Sequence, residues 1–160
     1  MKLKLQSINK NTDTQVSFSI ELLEQKTEQN QTWQYYRIHL NNGNEAYSFE
    51  SINKKTISAV GTIAEIGKFA FAISPHNELE AFQKSFESFL QSNKPSFRFE
   101  PSDPSFELII ERLPIINNEH NFKVFFWVDA GNTKALEYTW DSIGIRFICS
   151  KESLNLFFST

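Results

Sequence analysis

The side chains best suited to catalysis or metal binding in this sequence are three histidines, one cysteine and a scatter of carboxylates. His39, His76 and His120 lie far apart, and none stands at metal-ligand spacing from a Cys, Asp or Glu. His39 falls on an expected strand, His76 at a helix start and His120 in a hairpin loop. Cys149 ends the run Ile143-Gly144-Ile145-Arg146-Phe147-Ile148. Among such neighbours a lone thiol behaves as a small buried hydrophobe, whereas a nucleophile needs a base and an electropositive setting. Glu21, Glu24 and Glu28, then Glu78 and Glu80, then Glu107 and Glu111 supply acids. Glycosidase chemistry needs two carboxyls facing each other across a cleft, and spacing singles out no such pair. The five glycines form no phosphate-cradling loop. The expectation is therefore of no catalytic residue, no metal ligand and no cofactor.

What stands out instead is the aromatic content: 16 Phe, 4 Tyr and 3 Trp. Such residues favour strands and dominate core and interface energetics. In the expected strand Trp33 to Leu40, alternation puts Tyr36, Ile38 and Leu40 on one face and Trp33, Tyr35, Arg37 and His39 on the other. In Phe122 to Asp129, one face carries Phe122, Val124, Phe126 and Val128, and the other Phe125, Trp127 and Asp129. Arg146 lies opposite Ile145 and Phe147. Aromatics with Arg are what protein interfaces favour at their anchors. Trp33, Tyr35, Arg37, His39, Phe125, Trp127, Asp129 and Arg146 are thus a candidate binding face; the competing reading is a second small core.

The elements that must position these residues follow from period and turn chemistry. Lys2 to Ile8, Gln15 to Leu23, Trp33 to Leu40 and Glu45 to Glu50 read as strands, with Asn42-Gly43 marking a hairpin. Thr56 to Ile63 and Lys68 to Ile73 follow as further strands. Ser74-Pro75 opens a helix, with Asn77 and Glu80 as a competing capping box. Leu79, Phe82, Phe86, Phe89 and Leu90 form its core-facing apolar stripe, and Ser92 to Pro95 ends it. Strands resume at Ser96 to Glu100, Phe106 to Leu113, Phe122 to Asp129, Ala135 to Trp140 and Ile143 to Cys149. A short helix over Ser150 to Phe158 closes the chain. Segregated strands and helices predict an α+β fold: mostly antiparallel β-sheet, one central amphipathic helix and a short C-terminal helix.

The 160 residues suit a single domain spanning 1–160, with no internal repeat or charge block. A net charge of -3 and a pI near 5.6 argue against a nucleic-acid partner. The Met-Lys-Leu-Lys-Leu start leads into no apolar run, so neither a signal peptide nor a membrane span is expected. One cysteine allows no intrachain disulfide. These features, with Lys outnumbering Arg 12 to 4, suggest the cytoplasm of a bacterium with an AT-rich genome.

The stretch Ser105 to Arg112, then Phe122 to Asp129, Gly144 to Phe147, and Glu152 and Leu154 with Phe157 resembles the small immunity proteins of bacterial polymorphic toxin systems. The likeness is to the wall-associated-toxin type, spans residues 74–158 with the Phe82, Phe86, Phe89 stripe, and is carried by hydrophobic spacing. It implies a non-catalytic protein that neutralises a cognate toxin domain by contact, with no catalytic residue carried over. A different class remains open: a binder of small apolar ligands, or an enzyme, with a pocket in a curved sheet. That alternative requires Arg37, Arg146 or His39 at the bottom of a closed cavity.

Overall fold

The computed structural model describes residues 1–9, 15–42, 45–49, 57–58, 70–74, 76–102, 105–129 and 142–159. Six strands come from the first part of the chain: β1 (Lys2–Gln6), β2 (Val16–Glu28), β3 (Gln31–Asn42), β4 (Glu45–Phe49), β5 (Ile57–Ser58) and β6 (Ala70–Ala72). They form one antiparallel sheet in the order β1-β2-β3-β4-β5. β3 is long enough to pair with β4 over residues 38–42 and with β6 over residues 33–35. α1 (Glu78–Gln91) follows. β7 (Ser96–Phe99), β8 (Phe106–Arg112), β9 (Asn121–Asp129) and β10 (Ser142–Ser150) then make a second antiparallel sheet in the order β10-β9-β8-β7. α2 (Lys151–Asn155) closes the chain. The expected α+β class, dominated by antiparallel strands with one central helix and a short terminal one, is what the chain adopts.

The alternation in the sequence is used on both sheets. Leu3, Leu5, Phe18, Ile20, Tyr36, Ile38 and Leu40 point inward from the first; Phe106, Leu108, Ile110, Val124, Phe126, Val128, Phe147 and Cys149 point inward from the second. The two inner faces meet in one core, with Phe18 stacked on Phe126 at 3.9 Å between ring centroids. Phe rings interdigitate here because stacked and edge-to-face pairs fill the space between pleated surfaces at little conformational cost. At one corner the sheets are tied by a backbone bond, Ile8 N–H to the Ile148 carbonyl, at 2.9 Å. Elsewhere α1 packs on β6 of one sheet and β7 of the other. Its stripe, Phe82, Phe86 and Phe89, is buried against Phe71, Phe97, Phe122 and Phe157.

Several boundaries differ from the sequence reading. α1 starts at Asn77, whose Oδ1 accepts from Glu80 N–H at 3.0 Å; this is the competing cap, and Pro75 lies outside the described residues. Glu78 then fixes the helix start from both sides, its carboxylate accepting Ala72 N–H at 3.0 Å and Ser102 N–H. β2 runs past Leu23 to Glu28, through a register shift between Leu22 and Gln25. The polar tail of the strand holds because Gln29 and Asn30, at φ 50° and 64°, close a two-residue turn into β3. Asn117 and Asn118, expected as a turn, take the same left-handed conformation between β8 and β9. The Asn42-Gly43 hairpin appears as the β3–β4 pair, its Gly43 outside the described residues. Of Thr56 to Ile63 only Ile57–Ser58 is described as strand, and Ala135 to Trp140 lies outside the described residues.

Candidate binding face

The strands assemble into two sheets, so the eight candidate residues do not share one surface. Trp33, Tyr35, Arg37 and His39 lie on the outer face of the first sheet; Phe125, Trp127 and Arg146 lie on the outer face of the second. Asp129 ends β9 with its backbone paired to Ser142, and its side chain lies outside what is described.

On the first sheet the group is drawn into the fold. Tyr35 is 2 % exposed, with the Lys26 ammonium 5.7 Å from its ring centroid. His39 Nε2 lies 3.0 Å from Glu21 Oε2, and Arg37 lies 3.5 Å from the same oxygen. The His39 hydrogen bond, with added attraction from Arg37, holds the Glu21 carboxyl below its ordinary range against the opposing cost of desolvation. These three side chains pair with one another across β2 and β3, which suits a structural cluster.

On the second sheet the outer face is ordered in rows. Cross-strand register sets Arg98, Ile109, Phe125 and Arg146 side by side across β7, β8, β9 and β10. The next row places Glu107, Trp127 and Gly144 together, and the row on the other side places Ser96, Glu111, Lys123 and Ile148. Cross-strand neighbours of this kind stand about 4.5–5.5 Å apart and cover one another's flanks. Ile109, Phe125 and Trp127 are accordingly half-buried, and Ile148 is exposed. Gly144 is a requirement of this surface: a Cβ there would collide with the Phe126 carbonyl and the Trp127 ring, so the missing side chain lets the indole lie against β10.

Charge on this face is unevenly settled. Arg98 bonds Glu107 through two nitrogens and Glu100 at 2.8 Å, which leaves that end with an excess carboxylate. The Lys123 ammonium sits 5.9 Å from the Phe125 ring centroid. Arg146, at the opposite end of the row from Arg98, is exposed and has no ion-pair partner among the described residues. The arrangement is an aromatic and aliphatic centre flanked by a guanidinium with no ion-pair partner among the described residues, the composition of a contact surface.

Of the residues weighed for chemistry, His39 and Glu21 meet in the cluster on the first sheet. His76 and His120 are exposed on separate elements, and no group of three His, Cys, Asp or Glu among the described residues could hold a metal ion. Cys149 is fully buried on β10, where desolvation pushes its thiol up to about 12. The place an enclosed ligand would take between the sheets is filled by Phe18, Phe126 and Phe106, while Arg37, His39 and Arg146 lie on outer faces. An open cleft of about 760 Å³ does lie between the end of α1 and the β8–β9 hairpin, lined by Arg112, His120 and Lys151 among others.

Arg112 is the residue that sequence reasoning passed over. Its guanidinium donates to the carbonyls of Phe89, Ser92 and Lys94, each at 2.7 Å, and lies over the Phe89 and Phe122 rings at 4.6 and 5.2 Å. It supplies the cation that the last turn of α1 lacks. Its partners lie 18 to 23 residues away in sequence, so no local pattern announces it. No helix of the described residues is long and apolar enough to cross a membrane. Comparison with known proteins finds no family model, no curated protein and no solved structure that matches the chain.

Proposed function

We propose that this chain is a non-catalytic binding protein of the bacterial cytoplasm, an immunity protein that neutralises a cognate toxin domain by protein–protein contact. The contact surface is the outer face of the second sheet. The observation that carries this reading is the row Arg98–Ile109–Phe125–Arg146 with Trp127 beside it: a rigid, half-buried aromatic centre next to a guanidinium with no ion-pair partner among the described residues. Rigid aromatics lose little entropy on binding, and an unpaired Arg gains a partner on docking, which is why both recur at binding hot spots. The two-layer core beneath holds the backbone of β8, β9 and β10 in place, so the face is pre-organised.

The test is affinity capture from the native host followed by co-expression. The captured protein's C-terminal domain, expressed alone, should arrest growth, and co-expression of this chain should restore it. Trp127→Ala and Arg146→Ala should each weaken the complex at least about tenfold while the chain stays folded. A captured domain with no toxicity, or rescue indifferent to both substitutions, would refute the assignment.

A further inference from the structure

We propose that the outer face of the second sheet also receives a second copy of this chain, so that the free protein is a weak two-fold dimer and a partner binds by displacing the second copy. This rests on the reading of that face as a contact surface, and it adds an occupant that the face itself specifies.

The argument is one of self-complementarity. When two copies stack this face with strands aligned, a two-fold axis between them runs either along the strands or across them. An axis across the strands, through the Arg98–Arg146 row, lays each strand on its own copy. Arg146 then meets Arg146, the over-neutralised Arg98 cluster meets its own copy, and like charges face each other at both ends of the row. An axis along the strands, between β8 and β9, lays β10 over β7 and β9 over β8 of the second copy. Lys123 then faces Glu111 of the second copy, and Glu111 faces the second copy's Lys123. Phe125 faces Ile109 of the second copy, twice. Arg146 arrives over the Arg98 cluster, where Glu100 and Glu107 together carry one carboxylate more than Arg98 neutralises. The free cation at one end of the row thus meets the excess anion at the other, and the apolar centre closes on itself.

The area sets the strength. Four strands about 4.8 Å apart, each presenting about seven residues at about 3.4 Å, make a face of roughly 450 Å², or about 900 Å² for both copies. That falls short of the roughly 1,200–2,000 Å² of stable complexes, so the dimer is a weak one. A partner of ordinary interface size then displaces it.

Sedimentation equilibrium on the full chain from about 5 µM to about 1 mM tests this. The weight-average mass should rise from 18.6 kDa toward twice that value. Lys123→Glu sets a carboxylate against Glu111 of its own strand neighbour and against Glu111 of the second copy, gathering four carboxylates at the axis, and should raise the dissociation constant at least about tenfold. Lys123→Glu with Glu111→Lys restores opposite charges and should recover the dimer. Arg146→Glu should weaken it to a similar extent. A constant mass of 18.6 kDa across the range would overturn the proposal, as would a dimer indifferent to Lys123→Glu and Arg146→Glu. A monomeric result removes the second copy alone; the toxin-contact reading stands or falls by the co-expression assay.

Discussion

Arg112 of β8 and Phe89 of α1 are joined twice over: the guanidinium donates to the Phe89 carbonyl at 2.7 Å and lies 4.6 Å from the centroid of the Phe89 ring. Two further carbonyls, of Ser92 and Lys94, complete a cap delivered from the second sheet to the end of the helix. Arg112→Ala leaves those carbonyls without their charged donor and removes packing between two rings. We expect a loss of about 2–3 kcal/mol in urea unfolding, or roughly 5–10 °C in melting temperature. Arg112→Lys should recover only part of it, because an ammonium cannot span three carbonyls in one plane.

Gly144→Ala should destabilise the chain by about 1–3 kcal/mol, although the residue lies on the outer face of the sheet. The added methyl meets the Phe126 carbonyl, which is backbone and cannot rotate away. Pairing it with Trp127→Ala should relieve only the indole part of the clash. Denaturant midpoints of the two single variants and the double variant measure that coupling.

Glu21 links stability to pH. Its folded-state carboxyl titrates below the ordinary value of 4.5, chiefly through the His39 hydrogen bond and then through Arg37. A depressed carboxyl stabilises the fold above the unfolded value, and that contribution is lost as the pH falls through the folded one. Wild type should therefore exceed Glu21→Gln in stability at neutral pH, by under about 1 kcal/mol because the site is partly exposed. The gap should close as the pH drops below 4.5. Chemical denaturation at a series of pH values reads the difference directly; a gap that widens in acid would contradict the cluster.

Cys149 should be silent in the native state. A thiol fully buried and raised to about 12 presents almost no thiolate at pH 8. Its alkylation should proceed at the rate of global opening and accelerate in parallel with unfolding by urea. Rapid labelling of the folded chain would show that β10 opens locally.

Much of this fold is written in period and turn chemistry. Composition marks Phe106 to Leu113 as a strand, alternation separates the two faces of Phe122 to Asp129, and Phe82, Phe86 and Phe89 mark the buried stripe of α1. The Asn117-Asn118 turn is equally plain. Alternation says which residues share a side of a strand, and nothing about which strands share a sheet. For that reason Trp33 to His39 and Phe125 to Arg146 read as one surface, whereas pairing divides them between two sheets. The helix start was a contest between two reasonable caps, decided for Asn77 in a structure where Glu78 ties the first turn to Ala72 and Ser102. The outer rows of the second sheet are half legible: period marks Phe125, Trp127 and Arg146, while Ile109 and Gly144 take their places only through register.

The division of the chain between the sheets has a further consequence. Among the described residues, β1 to β6 all belong to one sheet and β7 to β10 to the other, with no strand crossing over. Phe18 against Phe126 is therefore a contact between an early half and a late half, and so is the buried hydrogen bond between the hydroxyls of Tyr36 and Ser105. The core is an internal heterodimer interface whose two partners are kept together by the covalent chain at α1. During synthesis the first sheet emerges with its inner aromatic face uncovered and stays so until β8 and β9 arrive. The contact between the two halves is therefore intramolecular, made at the high effective concentration that the connecting chain sets.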